Sequence, residues 1–386
     1  MSNKFIPLSV PNLKGNELEY VTNAVKTEWV STAGPYVTEF ENSVANYVGT
    51  PAAVACQSGT AGLHIALQLC GVTREDMVIV PTLTFIAAVN PVKYIGAEPM
   101  FMDCDDSLCM DPVKLRKFCE EECEVREDAL YHKATGRKIP AMVVVHVFGN
   151  MADMEAILEI ADTYNIKVIE DATEALGTKY AEGKYAGKFA GTLGVMGVFS
   201  FNGNKILTTG GGGMMVSQDE ALLKHAKHLT TQAKADEANF IHDEIGYNYR
   251  LTNLQAALGL AQMEQLEKFI DIKIKNYDRY KDALSDIPGL EVMKFREGTR
   301  SNHWFYALCC REPYRMKSME LIEHLKNNAI QSRPIWGLIH EQKPYEGSHT
   351  YCINKAKEYW NCVINLPCST NLSEEDVDRV IDAIIR

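Results

Sequence analysis

The strongest constraint on the fold is a series of short, almost wholly apolar segments, separated by helical patterns, through the middle of the chain. Residues 77–81 (MVIVP), 98–103 (EPMFMD), 141–148 (AMVVVHVF), 166–170 (IKVIE) and 195–201 (VMGVFSF) each read as a strand, and residues 213–216 close the series. A strand that is apolar on both faces must be buried on both, which is the environment of a parallel sheet covered by helices. Residues 154–164, between two of these runs, carry helical periodicity. Strand, helix, strand alternation therefore predicts an α/β fold built on a large, mixed and mostly parallel sheet.

Beyond the last strand, residues 253–274 carry one long helical pattern, with Leu254, Ala257, Leu258, Ala261 and Leu266 on one face. From about residue 275 the character changes, and residues 290–295, 304–309 and 319–326 predict strands and a helix of a smaller α+β lobe. With 386 residues the chain exceeds what one small core needs. The expected division is a large domain over residues 1–265 and a small C-terminal domain over residues 266–386, with the N-terminal segment packing on the small lobe.

Charge and composition exclude several functions. A net charge of −12 opposes a nucleic-acid partner, because phosphate binding needs a basic footprint. It leaves room for a nucleotide-linked substrate, which needs only a few local cations. No run approaches the roughly 18 apolar residues of a membrane span, and residues 1–30 lack the pattern of a signal peptide. The 11 cysteines are irregularly spaced and show no zinc-ligand pairing. They are expected to be reduced thiols in a cytoplasmic protein without a metal site.

Three motifs carry chemistry. In residues 58–64 (SGTAGLH), small residues precede a helical pattern over residues 61–69. A helix start with free N–H groups and a positive dipole end suits a phosphate, although an ordinary capped helix reads the same way. Asp171 follows the strand at residues 166–170, and ligands of open α/β sheets sit beyond strand carboxyl ends. A carboxylate there can keep a pyridine nitrogen protonated. In residues 199–205 (FSFNGNK), the hydroxyl of Ser200 is a phosphate candidate. Lys205 lies between a buried strand and the glycine run 210–213, a setting for a Schiff-base lysine. The glycine run lacks the G-x-G-x-x-G arrangement of a dinucleotide site.

Phosphate loop, acid after a strand, lysine after a later strand: in this order the chain resembles the DegT/StrS family of sugar aminotransferases, with their fold type I pyridoxal 5'-phosphate (PLP) architecture. The resemblance includes residues 29–41 (WVSTAGPYVTEFE), 58–67, 81–90 (PTLTFIAAVN), 170–177 (EDATEALG), 200–205, 246–259 (GYNYRLTNLQAALG) and Leu366-Pro367. It implies that Lys205 holds PLP and shuttles protons, and that Asp171 pairs with the pyridine nitrogen. Phe85 is implied to lie over the ring face, with Gly59, Thr60 and Ser200 on the phosphate. Asn248 is implied to reach the phosphate of a neighbouring subunit, so a homodimer with shared active sites is expected. L-glutamate and a nucleotide-linked 4-keto-6-deoxy (N-acetyl)hexosamine are the implied substrates. Trp29, Thr32, Arg250, His303, Tyr306, Arg333 and Trp336 are candidates for holding the sugar nucleotide.

Two positions depart from the family pattern. Glu174 stands where many relatives carry Gln or His, near the phenolic oxygen of the cofactor, and Gly211 stands where relatives usually have Glu. Two carboxylate-like oxygens side by side repel unless one is protonated or bridged, so Glu174 is expected to be protonated or hydrogen-bonded. Residues 131–140 (YHKATGRKIP) also resemble the 4-aminotransferases of legionaminic acid synthesis. Two alternatives frame this reading. A PLP-dependent sugar dehydratase of the same fold would carry His in place of Lys205. A non-catalytic PLP- or sugar-nucleotide-binding protein would show an eroded catalytic set. The chain has neither sign.

Overall fold

The computed structural model describes residues 4–386. Seven strands of the first half form most of one sheet: β1 (Ala52–Cys56), β2 (Met77–Pro81), β3 (Glu98–Met102), β4 (Ala141–Val145), β5 (Lys167–Asp171), β6 (Met196–Ser200) and β7 (Gly213–Ser217). The second half contributes β8 (Leu290–Val292), β9 (Tyr306–Cys310), β10 (Arg333–Pro334), β11 (His349–Tyr351) and β12 (Val363–Leu366). The large sheet runs in the order β1-β7-β6-β5-β4-β2-β3-β11. Strands β2, β4 and β7 are buried at every residue, as unbroken apolar runs require.

The direction of each strand determines where the site forms. Strands β6, β5, β4, β2, β3 and β11 are mutually parallel. Strand β7 is antiparallel to both β6 and β1, so β1 points the same way as β5 and β6. The carboxyl ends of β1, β5 and β6 therefore open on one edge of the sheet, and these ends lead into Ser58, Asp171 and the loop of Lys205. Because β6 and β7 are antiparallel neighbours, residues 201–212 need no crossover helix. They hang from the carboxyl end of β6 as a free loop.

Two helices flank β1: α1 (Pro35–Val48) and α2 (Gly59–Leu69). The long pattern expected over residues 253–274 is two helices, α3 (Asn253–Met263) and α4 (Leu266–Leu284). The apolar period continues across the break, so it does not reveal it. Polar contacts mark the break: the side chains of Gln262 and Gln265 both turn to Glu17, at 2.5 and 3.0 Å.

A second sheet, of order β8-β9-β12-β10, is antiparallel and packs with α4 through Tyr277, Tyr280 and Tyr306. The two halves of the chain interlock. Strand β11, which belongs to the later half, adds to the edge of the large sheet beside β3. Ile6 forms a bridge with Ile330, and Cys368 N–H donates to the Leu8 carbonyl at 2.8 Å. A cut at 265/266 therefore separates chain segments that pair with each other. Among the described residues no helix is long and apolar enough to cross a membrane, and all eleven cysteines are free thiols.

Candidate active site

The three strand ends meet at a cleft of about 730 Å³ between the two sheets. At the end of β1, Ser58 is the N-cap of α2, and its Oγ accepts from Ala61 N–H at 3.1 Å. Its carbonyl accepts from Gly62 N–H. Among the described residues no acceptor takes the N–H groups of Gly59 and Thr60, as the first turn of a helix predicts. Gly59 is required by contact: a Cβ there would lie 2.8 Å from Thr173 Cγ2 and 3.1 Å from Ser200 Cβ. Its absence lets the start of α2 sit against the ends of both β5 and β6, which puts Ser200 beside the free N–H groups.

Asp171, the last residue of β5, is buried, and burial raises its pKa from the ordinary value. Help for the carboxylate comes from Thr173, whose N–H donates at 3.1 Å, and from the more distant charges of Lys205 and His146. Glu174, three residues on, is also buried. Burial pushes its pKa up to about 7 against the opposing pull of Lys205 and of a hydrogen bond from Phe148 N–H at 2.7 Å. Lys205 Nζ lies 3.7 Å from Glu174 Oε1 and 4.2 Å from the centroid of the Trp304 indole.

The cleft also takes in Phe85, Arg333 and Trp336. Phe85 keeps 55% of its surface exposed. Arg333 is exposed at the mouth, with no carboxylate paired to it among the described residues. Trp336 packs on Phe148 with ring centroids 4.7 Å apart. Gly211 lines the cleft too, and a Cβ there would meet nothing nearer than Gln255 Nε2 at 3.8 Å. A side chain is therefore missing at this position without any steric demand for its absence.

The other expected residues lie outside the cleft lining. Tyr306 is fully buried on β9 and its hydroxyl donates to the Lys273 carbonyl at 2.9 Å, so it is a core residue. His303 packs on Phe295 and Tyr277, and burial pushes its pKa down to about 4, leaving a neutral ring in an apolar nest. Arg250 is paired at 2.6 Å with Glu41 of α1, and Glu41 also accepts from Ala55 N–H of β1; this holds Arg250 in a structural role. Trp29 and Thr32 are exposed, and the Trp29 carbonyl accepts from Asn253. Asn248 is exposed and forms a bridge with Thr231. Residues 131–140 form part of a peripheral hairpin, with Tyr131 bridged to Lys138, and none of them lines the cleft.

Sequence reasoning missed Trp304, Phe305 and Thr84, which line the cleft. Trp304 opens the apolar run 304–309, which reads as a strand and therefore as core.

With this geometry in place, the comparisons with known proteins bear on it directly. The family model described as DegT/DnrJ/EryC1/StrS aminotransferase matches residues 11–385. The chain belongs to that family. It is a PLP-dependent nucleotide-sugar aminotransferase. It is 37% identical to the GDP-perosamine synthase of Escherichia coli O157:H7, over 99% of this chain and 98% of the relative. It is 36% identical to EpsN of Bacillus subtilis (strain 168), provisionally named a PLP-dependent aminotransferase, over 99% of this chain and 95% of that one. Among solved structures, the aminotransferase TlmJ from Streptoalloteichus hindustanus superimposes with a TM-score of 0.88 at 26% identity, covering 99% and 98% of the two chains.

Proposed function

We propose that the chain transfers the amino group of L-glutamate to a nucleotide-linked 4-keto-6-deoxy (N-acetyl)hexosamine, making a 4-amino sugar for a surface glycan or a nonulosonic acid. The observation that carries this reading is the meeting of Lys205, Asp171 and the unpaired N–H groups of Gly59 and Thr60 in one cleft. These residues fit PLP. The two N–H groups and the Ser200 hydroxyl suit its phosphate, and the buried carboxylate of Asp171, in direct ion pair with no cation among the described residues, suits a protonated pyridine.

When bound, PLP supplies the electron sink that makes the α-carbon of the donor acidic. Asp171 holds the proton on the pyridine nitrogen. Lys205 Nζ takes the proton from the α-carbon of glutamate, and in the second half-reaction delivers a proton to the sugar carbon that receives nitrogen. Phe85, on the wall of the cleft, would lie against the cofactor ring. Arg333, with no carboxylate partner among the described residues, is the cation at the mouth that would take the diphosphate of the sugar nucleotide, and Trp336 lines the cleft with it. The relative named GDP-perosamine synthase supports a nucleotide-linked sugar as the acceptor.

Asn248 is assigned to a neighbouring copy of the chain. It is exposed on a segment that also exposes Phe240, Ile241 and Ile245, an apolar patch suited to a homodimer. The test of the function uses ¹⁵N-labelled L-glutamate and a nucleotide-linked 4-keto-6-deoxyhexose. Mass spectrometry should find the label in a 4-amino sugar nucleotide. Label retained entirely in glutamate, with PLP bound, would sink the proposed pair of substrates.

A further inference from the structure

Trp304 is the contact of Lys205 that nothing in the reaction scheme explains. It is 3% exposed, yet its ring forms part of the cleft. Three hydrogen bonds fix it. Its indole N–H donates to the Asn204 carbonyl at 2.7 Å, one residue before the lysine. Its backbone N–H donates to Asn302 Oδ1 at 3.0 Å, and Asn302 in turn donates to the carbonyls of Glu174 and Leu176. Its carbonyl accepts from the buried Lys273 ammonium at 3.0 Å. The indole is thus tied to the loop of Lys205, the loop of Glu174 and helix α4 at once.

We infer that Trp304 is a positioning residue: its ring face is a seat for the free ammonium of Lys205. This rests on the reading of Lys205 as the cofactor lysine. The ring face is the negative end of an aromatic quadrupole, and 4.2 Å from Nζ to the centroid lies well within reach of a cation–π contact. Glu174 stands on another side of Nζ at 3.7 Å, and Asp171 is the second acid near it. Once glutamate has displaced Lys205, its neutral amine takes up the proton, and the ammonium so formed needs to remain in the cleft in order to deliver it. An indole on one side and a carboxyl group on another hold it there, where a flexible four-carbon stem would otherwise swing toward solvent.

The test separates this role from plain packing and from the cofactor. Mono- and difluorinated tryptophan, placed at position 304 alone, keep the shape and the N–H while weakening the ring face. In cofactor-free protein, acetic anhydride labelling of Lys205 is followed by mass spectrometry at fixed pH, with the other lysines as internal reference. Labelling should rise with each fluorine, reaching about two- to tenfold, while the thermal midpoint stays unchanged. In the loaded enzyme kcat should fall in the same order with KM for glutamate held within about twofold, which is the mark of a lost positioning contact. Trp304→Leu, if it folds, should exceed the difluorinated protein in labelling. Labelling of Lys205 that is flat across the fluorinated series would overturn the inference. Because that measurement uses no cofactor, such a result leaves the aminotransferase reading standing, whereas absence of turnover in the unmodified enzyme would strike the reading alone.

Discussion

The inner half of the cleft, where Asp171, Glu174, Lys205 and the start of α2 meet, differs from the outer half, where Phe85, Arg333 and Trp336 stand, in what fixes the side chains. Inner groups sit at the carboxyl ends of buried strands, and their directions follow from the sheet. Asp171 is held by Thr173, Glu174 by Phe148, and Gly59 is squeezed against Thr173 and Ser200. Outer groups are more exposed, Phe85 and Arg333 among them, while Trp336 packs on Phe148. Chemistry that is common to all substrates belongs in the first setting. Contacts that vary with the sugar nucleotide belong in the second, where a side chain can change without disturbing a strand end.

Substitutions in the two halves should accordingly give different signatures. The largest effect is expected at Lys205. Lys205→Ala should lose about 10²–10⁴-fold or more in kcat in a two-substrate assay, because its proton transfers have no substitute. Full turnover in that variant would break the inner half of the account.

Next comes Glu174, whose raised pKa makes a stability statement. A buried acid that titrates near 7 binds more protons when folded than unfolded, between the ordinary carboxylate range and 7. The folded protein therefore loses stability as pH rises through that window. Glu174→Gln keeps an acceptor for Phe148 N–H and removes the ionisation. In cofactor-free protein it should gain stability relative to the parent between about pH 5 and about pH 8, by on the order of 3 kcal/mol at most. Denaturant unfolding of both proteins across that range checks it, and parallel pH curves would contradict it. In the loaded enzyme the same variant should alter the pH dependence of the cofactor spectrum.

A smaller effect is expected at the rim. Arg333→Ala should raise KM for the sugar nucleotide about tenfold, the loss of one charge-assisted contact, and leave KM for glutamate unchanged. Equal rises in both would place Arg333 in the inner half. Smallest of all, Tyr306→Phe should cost about 1 kcal/mol of stability through its bond to Lys273 and leave both KM values alone. A selective rise in KM for the sugar would return Tyr306 to the substrate site.

The same contrast explains how much of the protein could be read from its residues. The parallel sheet was legible because doubly buried strands leave unbroken apolar runs; Asp171 was legible because it directly follows such a run, and Lys205 because it lies in the short loop between a run and the glycines 210–213. The split of α3 from α4 was hidden, since the apolar period continues through Gln265 while the break depends on side-chain contacts with Glu17 from the far end of the chain. The return of β11 to the edge of the large sheet was equally hidden, three residues carrying too little pattern. At the rim, His303 and Tyr306 were chosen by residue type; Tyr306 is core, and His303 is half-buried against Phe295 and Tyr277, outside the cleft lining. One residue separates His303, and two separate Tyr306, from Trp304, which does reach Lys205. Register in a short strand depends on its partners, and one of these, β12, lies more than 50 residues away along the chain.

The central claim, that Lys205 holds PLP and passes an amino group in two steps, is tested most directly by the absorbance spectrum of the purified protein with PLP. The account predicts a long-wavelength cofactor band that L-glutamate abolishes and a nucleotide-linked 4-keto sugar restores. If no such band forms at any concentration of added PLP, the claim is contradicted at Lys205 itself.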